Sequence, residues 1–362
     1  GSGTFLYLAI KEKRERLKDS QETLHHILES VYGADIHPLA VVVAKTNYIL
    51  ALGDLLKKRK GLIPIPVYFA DTVRLPRIQN QLNVSMPLPG YPVELEGRSI
   101  CLPEALLGDL ALCDRAIELL KEFAKQNKGK DITIDSCRNF LRAQEFPGVE
   151  SLDLIKALFC IAKELKYFID NQRDTIWAFV LKNIFKPLFF KNRFDFVCGN
   201  PPWIAFRYIE PAYQEFLKEQ ITKEYKLLEG RGELITHLEV ATFFLVRAAH
   251  LYLKERGAIA FVLPKSIFYA DQHDGLRRRS FRFSREAPQK FQQASDLTLS
   301  WREIWDCEDV SPLFSVPASV VIADKDETRE TRYPIEGIKF SGKLERKNAS
   351  LNEAEQALTI TK

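Results

Sequence analysis

The sequence lacks the residue patterns that mark several common classes of protein. Its six cysteines are scattered without the Cys-x-x-Cys or Cys-x-x-His spacing of zinc sites, which predicts reduced thiols and no metal centre. No apolar run approaches the roughly 18 residues of a membrane span. The first residues also lack the basic segment and apolar core of a signal peptide. We therefore expect a cytoplasmic protein that does not contact a membrane.

The net charge of +4 and a pI of about 8.6 permit nucleic-acid binding without requiring it. Basic residues are nevertheless concentrated in one segment in which aromatic residues lie between arginines. Cations interleaved with rings are typical of nucleic-acid surfaces, but a solvated loop carries the same charges, and both interpretations stay open. The residues concerned are Arg277, Arg278, Arg279 and Arg282, with Phe281 and Phe283.

The first 76 residues alternate between helix-like and strand-like segments. Apolar spacing predicts a helix over 5–30, a strand over 31–36, a helix over 39–56 that Pro38 begins, and a strand over 66–71. Strands that alternate with helices indicate an α/β protein with a parallel, doubly wound sheet.

Residues 77–190 interrupt this pattern, with short β-like pieces followed by helical sequence over 104–127, 135–144 and 150–189. A plain βαβ crossover needs far fewer residues. We therefore predict one core formed by 1–76 and 191–340, with 77–190 as a mainly helical insertion. Beyond about residue 340 we predict no packed element, so that 341–362 is a polar tail or the start of a further domain. Within the resumed core we predict a strand over 194–199, a helix over 234–255 capped by Gly257, and strands over 258–264 and 319–323.

The most informative motif is Asn200-Pro201-Pro202-Trp203, which directly follows the strand predicted over 194–199. Open α/β sheets bind ligands at this carboxyl edge. The two prolines fix φ and remove two N–H donors, so Asn200 can offer its side-chain oxygen and neighbouring carbonyls to an amino group. Trp203 offers a stacking face. The motif favours recognition of the exocyclic amine of a planar base, although Pro-Pro also ends strands in ordinary turns.

Three further features lie at the ends of earlier predicted elements. Gly1 and Gly3 precede a helix, where a glycine turn lets a ligand approach the backbone. Asp35 ends the first strand, where a carboxylate can accept hydrogen bonds from both ribose hydroxyls. Asp71 ends the second strand, where it can accept from an adenine amino group. Each also has a purely structural interpretation: the glycines as a linker and each aspartate as a turn residue. The order of the three features along the chain favours a nucleoside-containing cofactor.

Together these residues resemble the gamma class of S-adenosylmethionine-dependent N6-adenine DNA methyltransferases. Gly1–Leu6 is similar to the end of their Asp-Pro-x-Cys-Gly-Ser-Gly-Thr-Phe-Leu motif, and Gly33–Ala40 to their ribose-binding segment. Phe69–Asp71 resembles their adenine-binding aspartate, and Asn200–Trp203 their catalytic tetrapeptide. The order, cofactor motif before catalytic motif, is that of the gamma class. The insertion and Trp305–Phe314 resemble the large methylases of type IIG restriction–modification and phage-defence systems.

The resemblance implies a Rossmann-like methyltransferase fold, a cofactor and a substrate. A flipped-out adenine of double-stranded DNA would stack on Trp203, while Asn200 and the carbonyl of Pro201 accept its amine protons and Pro202 completes the rigid turn. No metal is needed. Antiviral defence is the implied setting, with other subunits of a defence complex as candidate partners. The residues implied to bind S-adenosylmethionine are Gly1, Gly3, Thr4, Phe5, Asp35, Ile36 and Asp71.

The sequence departs from the family pattern in two places. The Asp-Pro-x-Cys that precedes Gly-Ser-Gly in the family is absent, as is a target-recognition domain, so we expect the numbering to cover a fragment of a larger protein. Two alternatives stay open. Compact RNA-guanine and release-factor-glutamine N-methyltransferases also use Asn-Pro-Pro-aromatic on planar nitrogens, and a degenerate methylase domain would serve only as a DNA-binding or assembly subunit.

Overall fold

The computed structural model describes residues 1–75, 88–95, 97–172, 181, 183–278, 280–281, 297–326, 328, 334–347 and 349–362. The chain divides into two compact units, Gly1–Phe189 and Phe190–Lys362. Each unit combines helices with strands, which confirms the prediction of an α/β fold.

The first unit opens with a small parallel sheet and three helices. β1 and β2 pair in parallel, with Asp35 opposite Phe69. Apolar residues of the helices pack together with β2 in a buried cluster that includes Ile10, Ile27 and Tyr48. The elements are α1 (Thr4–Leu17), α2 (Gln21–Ser30), β1 (Gly33–Asp35), α3 (Pro38–Leu52), a 3-10 helix (Gly53–Lys58) and β2 (Val67–Phe69).

The single helix predicted over 5–30 is wrong, because the chain breaks between α1 and α2. Lys18 adopts a left-handed φ of 60°, which ends α1. Ser20 then begins α2 as its N-cap, with its hydroxyl accepting a hydrogen bond from the Thr23 amide at 3.0 Å. A serine that satisfies a free amide of the first turn is a common helix start, and apolar spacing alone does not reveal it.

One helical stretch, Pro38–Lys58, is long and apolar enough to cross a membrane by length and composition, against the sequence expectation that no run approaches that length. Its most apolar 18-residue window has a mean hydropathy of 1.6 and is 33% buried. A single stretch of this kind is weak support for a membrane span, because core helices have the same composition. Here Val41, Ala44, Tyr48 and Leu52 are buried in the core of the first unit.

The remaining described part of the first unit has its own hydrophobic cluster, in which Leu120, Phe123 and Leu158 are buried. An antiparallel hairpin packs beside three helices there, and Arg98 of the hairpin pairs with Glu164 of α6. The prediction that 77–190 is an insertion stays a prediction. The elements are β3 (Gly90–Leu95), β4 (Arg98–Pro103), α4 (Leu110–Gln126), α5 (Ile134–Ala143) and α6 (Leu152–Asp170).

The second unit is built on a seven-stranded sheet of order β11-β10-β8-β9-β6-β5, with β7 beside β8. The strands are β5 (Phe194–Gly199), β6 (Leu253–Pro264), β7 (Ser280–Phe281), β8 (Leu297–Ser311), β9 (Ala318–Lys325), β10 (Glu336–Lys343) and β11 (Leu358–Thr361). The helices are α7 (Pro211–Glu219), α8 (Val240–Tyr252), α9 (Asp274–Arg277) and α10 (Leu351–Ala357).

This sheet is mixed, whereas the alternation in the first 76 residues predicted a parallel, doubly wound sheet. β5 and β6 are parallel, and β10 is parallel to β8. β9 lies between β6 and β8 and is antiparallel to both. Two antiparallel steps restore the original direction, so β5, β6, β8 and β10 all end at the same edge of the sheet.

The predicted helix over 234–255 is also wrong at both ends. A 3-10 helix covers Gly232–His237, and α8 begins only at Val240 and ends at Tyr252. Gly257 is not a helix cap, because it lies inside β6. A Cβ at Gly257 would lie 3.1 Å from the carbonyl oxygen of Phe194 on β5. Close approach of two strands therefore explains this glycine.

The chain beyond residue 340 contains packed elements, contrary to the prediction. β10 pairs with β8, β11 pairs with β10, and α10 begins with a capping box between Ser350 and Glu353. Strands pair through main-chain hydrogen bonds, so strands at the edge of a sheet can be polar in sequence. The hydrophobic pattern was therefore a poor guide to this region.

Candidate active site

The tetrapeptide Asn200–Trp203 follows β5 at the edge where β5, β6 and β8 end. β5 ends at Gly199, since Pro201 and Pro202 carry no N–H to continue the ladder. Asn200 and Pro202 are exposed, Pro201 is buried and Trp203 is half-buried. The structure therefore presents the Asn200 amide to solvent at the edge that the sequence predicted.

Two contacts fix the ring of Trp203. Its Nε1 donates a hydrogen bond to the carbonyl oxygen of Val262 on β6 at 3.1 Å. Its ring lies 5.3 Å from the ring of Phe314, with 33° between the planes. A hydrogen bond at one end and a ring contact at the other hold an indole in one orientation.

Phe314 is a candidate site residue that the sequence reasoning did not single out. It is half-buried and lies in the loop between β8 and β9. The available signal was an aromatic residue just after the end of a core strand, which is also how Trp203 is placed. Phe314 could not be joined to Trp203 from sequence, because more than a hundred residues separate them.

Lys265 lies at the same edge, directly after β6. Its Nζ donates to Asp306 at 2.7 Å and to Glu308 at 2.5 Å, both on β8. These hydrogen bonds raise the pKa of Lys265 above its usual value. Burial alone would raise the pKa of Asp306, but the hydrogen bond from Lys265 lowers it. The three charges therefore join the segment after β6 to β8.

The predicted cofactor residues at the start of the chain lie in the first unit. Asp35 is partly buried and accepts a hydrogen bond from the His37 amide at 2.7 Å through Oδ1, and its Oδ2 lies next to the Gly1 nitrogen. Ile36, which follows Asp35 directly, is 61% exposed. The structure therefore brings Gly1 and Asp35 together, beside an exposed apolar residue.

Gly3 has a role in helix packing that the sequence did not predict. It precedes α1 with a left-handed φ of 82°, and a Cβ there would lie 2.8 Å from the Cα of Ala44 on α3. The adjacent Ser2 carbonyl accepts a hydrogen bond from Asn47 of α3 at 2.8 Å. Thr4 and Phe5 follow in the exposed first turn of α1. The turn is thus packed against α3.

Asp71 has the hydrogen-bond geometry of a turn aspartate, which is the structural alternative given above. Its Oδ1 accepts hydrogen bonds from the amides of Val73 at 2.9 Å and Arg74 at 3.0 Å. It also lies two residues after Phe69, which pairs with Asp35. Asp35 and Asp71 therefore lie at the same edge of the small sheet, as predicted for two strand-end carboxylates.

The structure describes two of the four arginines predicted to bind nucleic acid, and both contact the protein itself. Arg277 donates to the carbonyl oxygens of Ile267 at 3.1 Å and Ala270 at 2.9 Å. Arg278 pairs with Asp274 at 3.1 Å. Arg279 and Arg282 lie outside the described residues. A DNA contact by this group stays a prediction, and Arg277 has a structural role.

Comparison with known proteins identifies the class and the family of the chain. Its class is that of restriction–modification methylase domains, because residues 29–290, more than half of its length, match the model described as Eco57I restriction-modification methylase. The chain belongs to the Eco57I restriction-modification methylase family. This confirms the resemblance to restriction–modification methylases that the motifs indicated.

Individual relatives are distant and much longer. A Methanocaldococcus jannaschii protein, provisionally described as a type II restriction enzyme and methyltransferase, is 23% identical over 78% of this chain and 26% of its own length. The DNA-bound, ATP-dependent Type ISP restriction-modification enzyme LlaBIII gives a TM-score of 0.42, at 12% identity over 99% of this chain and 19% of that chain. A nuclease-deletion mutant of the Type ISP enzyme LlaGI, in complex with a DNA substrate mimic, gives 0.43, at 11% identity over 98% and 22%. The chain thus spans about a quarter of the curated relative.

Proposed function

We propose that the protein transfers a methyl group from S-adenosylmethionine to N6 of an adenine flipped out of double-stranded DNA. Family membership supports a restriction–modification methylase, and the donor and the target atom are our inference. The observation that carries it is the exposed Asn200 amide at the end of β5, next to the oriented ring of Trp203. Together they offer acceptors and a stacking face to one planar amine.

Asn200 and Pro201 act on the amine by accepting hydrogen bonds from its two N–H groups. The side-chain oxygen of Asn200 and the carbonyl of Pro201 withdraw the nitrogen lone pair from the ring and direct it away from the base plane. Asparagine does not titrate, so neither group removes a proton as a base. The proton passes to solvent water late, when the alkylated nitrogen has become acidic, and rate acceleration arises from orientation and electrostatics.

Trp203 and Phe314 supply the aromatic part of the proposed base site. Base–aromatic stacking is worth about 1–3 kcal/mol per base, which offsets part of the unstacking cost of base flipping. The hydrogen bond to Val262 fixes the Trp203 ring before the base arrives. Such preorganisation lowers the ordering cost of binding.

The residues of the first unit fit a nucleoside-containing methyl donor. Asp35 would accept from the ribose hydroxyls, and Ile36 offers an exposed apolar surface to the adenine. Asp71, at the same sheet edge, would accept from the adenine amino group. When bound, S-adenosylmethionine supplies an electrophilic methyl group. We also propose that the protein works in the cytoplasm within a restriction–modification or phage-defence system, with further subunits of that system as partners.

The test is transfer of labelled methyl by the full-length protein to unmodified DNA, to RNA and to protein, in parallel. We expect label in DNA, recovered as N6-methyladenine. Label in RNA or protein would assign the chain to the guanine or glutamine N-methyltransferases. DNA binding without transfer would identify a degenerate methylase domain.

A further inference from the structure

A short main-chain bridge connects the segment after Trp203 to the start of α8. The amide of Val240 donates to the carbonyl of Ile204 at 3.0 Å, and the amide of Phe206 donates to the carbonyl of Leu238 at 2.9 Å. Ala205 and Glu239 form an isolated antiparallel bridge between these bonds. Ile204 directly follows Trp203. The bridge to Leu238–Val240 therefore holds the main chain next to the end of the tetrapeptide, and Glu239 lies at the centre of that bridge.

Glu239 is held by side chains from the region that follows β6. Its Oε1 accepts from the Ser266 hydroxyl at 3.2 Å, and its Oε2 accepts from Gln272 at 3.4 Å and from Nε2 of His273 at 2.6 Å. His273 is fully buried, and its Nδ1 lies 2.7 Å from the hydroxyl of Thr242 on α8. His273 thus joins Glu239 to the first turn of α8.

The charge on Glu239 strengthens this link. Burial alone would raise the pKa of Glu239, but the hydrogen bond from His273 lowers it below its usual value. An ionised carboxylate that accepts from an imidazole makes a stronger hydrogen bond than a neutral pair. The contact with the buried His273 is therefore the shortest, and the charge-assisted, member of the three hydrogen bonds that hold Glu239.

We propose that Glu239 and His273 are positioning residues, which hold the Asn200–Trp203 segment in the geometry that methyl transfer requires. The segment is fixed at one end by β5 and at the other by the Ile204–Phe206 bridge, and Glu239 fixes that bridge. This proposal rests on the proposed function. A shift of about 1 Å in a reacting group costs on the order of 100-fold in rate, so loosening the bridge lowers kcat.

The test compares His273→Gln with His250→Gln in the full-length protein. His250 is the control, because it is a partly buried histidine whose Nδ1 lies 2.7 Å from the Tyr225 hydroxyl, and it lies at the other end of α8. We expect His273→Gln to lower kcat for DNA methylation on the order of 100-fold with an unchanged KM for S-adenosylmethionine. His250→Gln keeps kcat near that of the wild type. Glu239→Gln, which keeps an acceptor oxygen, loses less activity than Glu239→Ala.

A second readout does not depend on catalysis. Hydrogen–deuterium exchange at the Phe206 and Val240 amides becomes faster in His273→Gln than in His250→Gln if His273 holds the bridge. Equal kcat in the two variants, or equal exchange, overturns the positioning role. A wild-type protein that methylates nothing overturns the proposed function instead, and the exchange comparison then decides whether Glu239 and His273 hold the bridge.

Discussion

At the scale of single residues, Gly1 and Gly3 share a motif but differ in their surroundings. Gly3 has a φ of 82° and a close neighbour in Ala44, whereas no atom lies within 4 Å of a Cβ at Gly1. Sequence alone assigned both to cofactor approach. In the structure, Gly3 is also required for packing against α3. Substitutions at Gly1 and Gly3 should therefore affect stability differently.

We predict that Gly3→Ala lowers the free energy of unfolding by about 1–3 kcal/mol, because it adds a strained φ and a clash with α3. Gly1→Ala is the control and leaves stability unchanged. Urea unfolding without cofactor measures both. Equal stability of the two variants would show that Gly3 is not packed against Ala44.

Trp203 gives the second prediction at this scale. Trp203→Ala weakens binding of DNA with a mismatched target adenine by about 1–3 kcal/mol, because the stacking face is lost. Trp203→Phe keeps a ring but loses the hydrogen bond to Val262, and we expect a smaller effect. Fluorescence titration with 2-aminopurine at the target position measures both.

Trp305→Phe is the matched control for this experiment. The Nε1 of Trp305 donates to Glu303 within β8 at 2.7 Å, so this substitution also removes an indole hydrogen bond. It should leave DNA affinity unchanged. A loss in Trp305→Phe as large as that in Trp203→Ala would indicate a general disturbance of the unit.

At the scale of elements, α8 is anchored by a buried polar network near its end. The Nδ1 of His250 lies 2.7 Å from the hydroxyl of Tyr225, which accepts a hydrogen bond from Arg247 at 2.9 Å. Burial is the main cause that lowers the pKa of His250 to about 3, with the charge of Arg247 adding to it. Burial also raises the pKa of Tyr225 to about 12. Neutral imidazole and phenol are therefore part of the folded state.

This network predicts a loss of stability in mild acid. Below its ordinary pKa near 6.5, His250 takes up a proton in the unfolded chain but not in the folded protein, so stability decreases as the pH falls from about 7 towards 3. Between about pH 7 and 5 the loss is about 2 kcal/mol. In His250→Gln, the difference between the urea midpoints at these pH values should shrink. An unchanged difference would contradict a His250 that stays neutral in the folded protein.

Elements were predictable where local signals and hydrophobic pattern agreed. β5 was predicted with its observed bounds, since an apolar run ends in two prolines. The break at Lys18 depends on a cap, and Gly257 depends on how closely β5 approaches β6. Neither the helix break nor the strand glycine produces a periodic pattern of apolar residues. Beyond residue 340 main-chain pairing forms strands without an apolar pattern, so the sequence could not reveal them.

At the scale of the whole molecule, the alternation of helices and strands predicted an α/β fold but not the order of strands. Strand pairing joins segments that are distant in sequence. The position of the antiparallel β9 between β6 and β8 therefore could not be predicted from local sequence. The site followed the same rule. Asn200–Trp203 is contiguous and was found, whereas Phe314, Glu239 and His273 reach the tetrapeptide only through the fold.

The central claim is that Asn200 orients the target amine while Asp35 holds the methyl donor. The most direct test measures methyl transfer to DNA and, by calorimetry, S-adenosylmethionine binding in Asn200→Ala and Asp35→Ala of the full-length protein. We predict that Asn200→Ala binds S-adenosylmethionine like the wild type but transfers no methyl, whereas Asp35→Ala loses cofactor affinity. Retained methylation of DNA by Asn200→Ala would show that Asn200 does not orient the target amine.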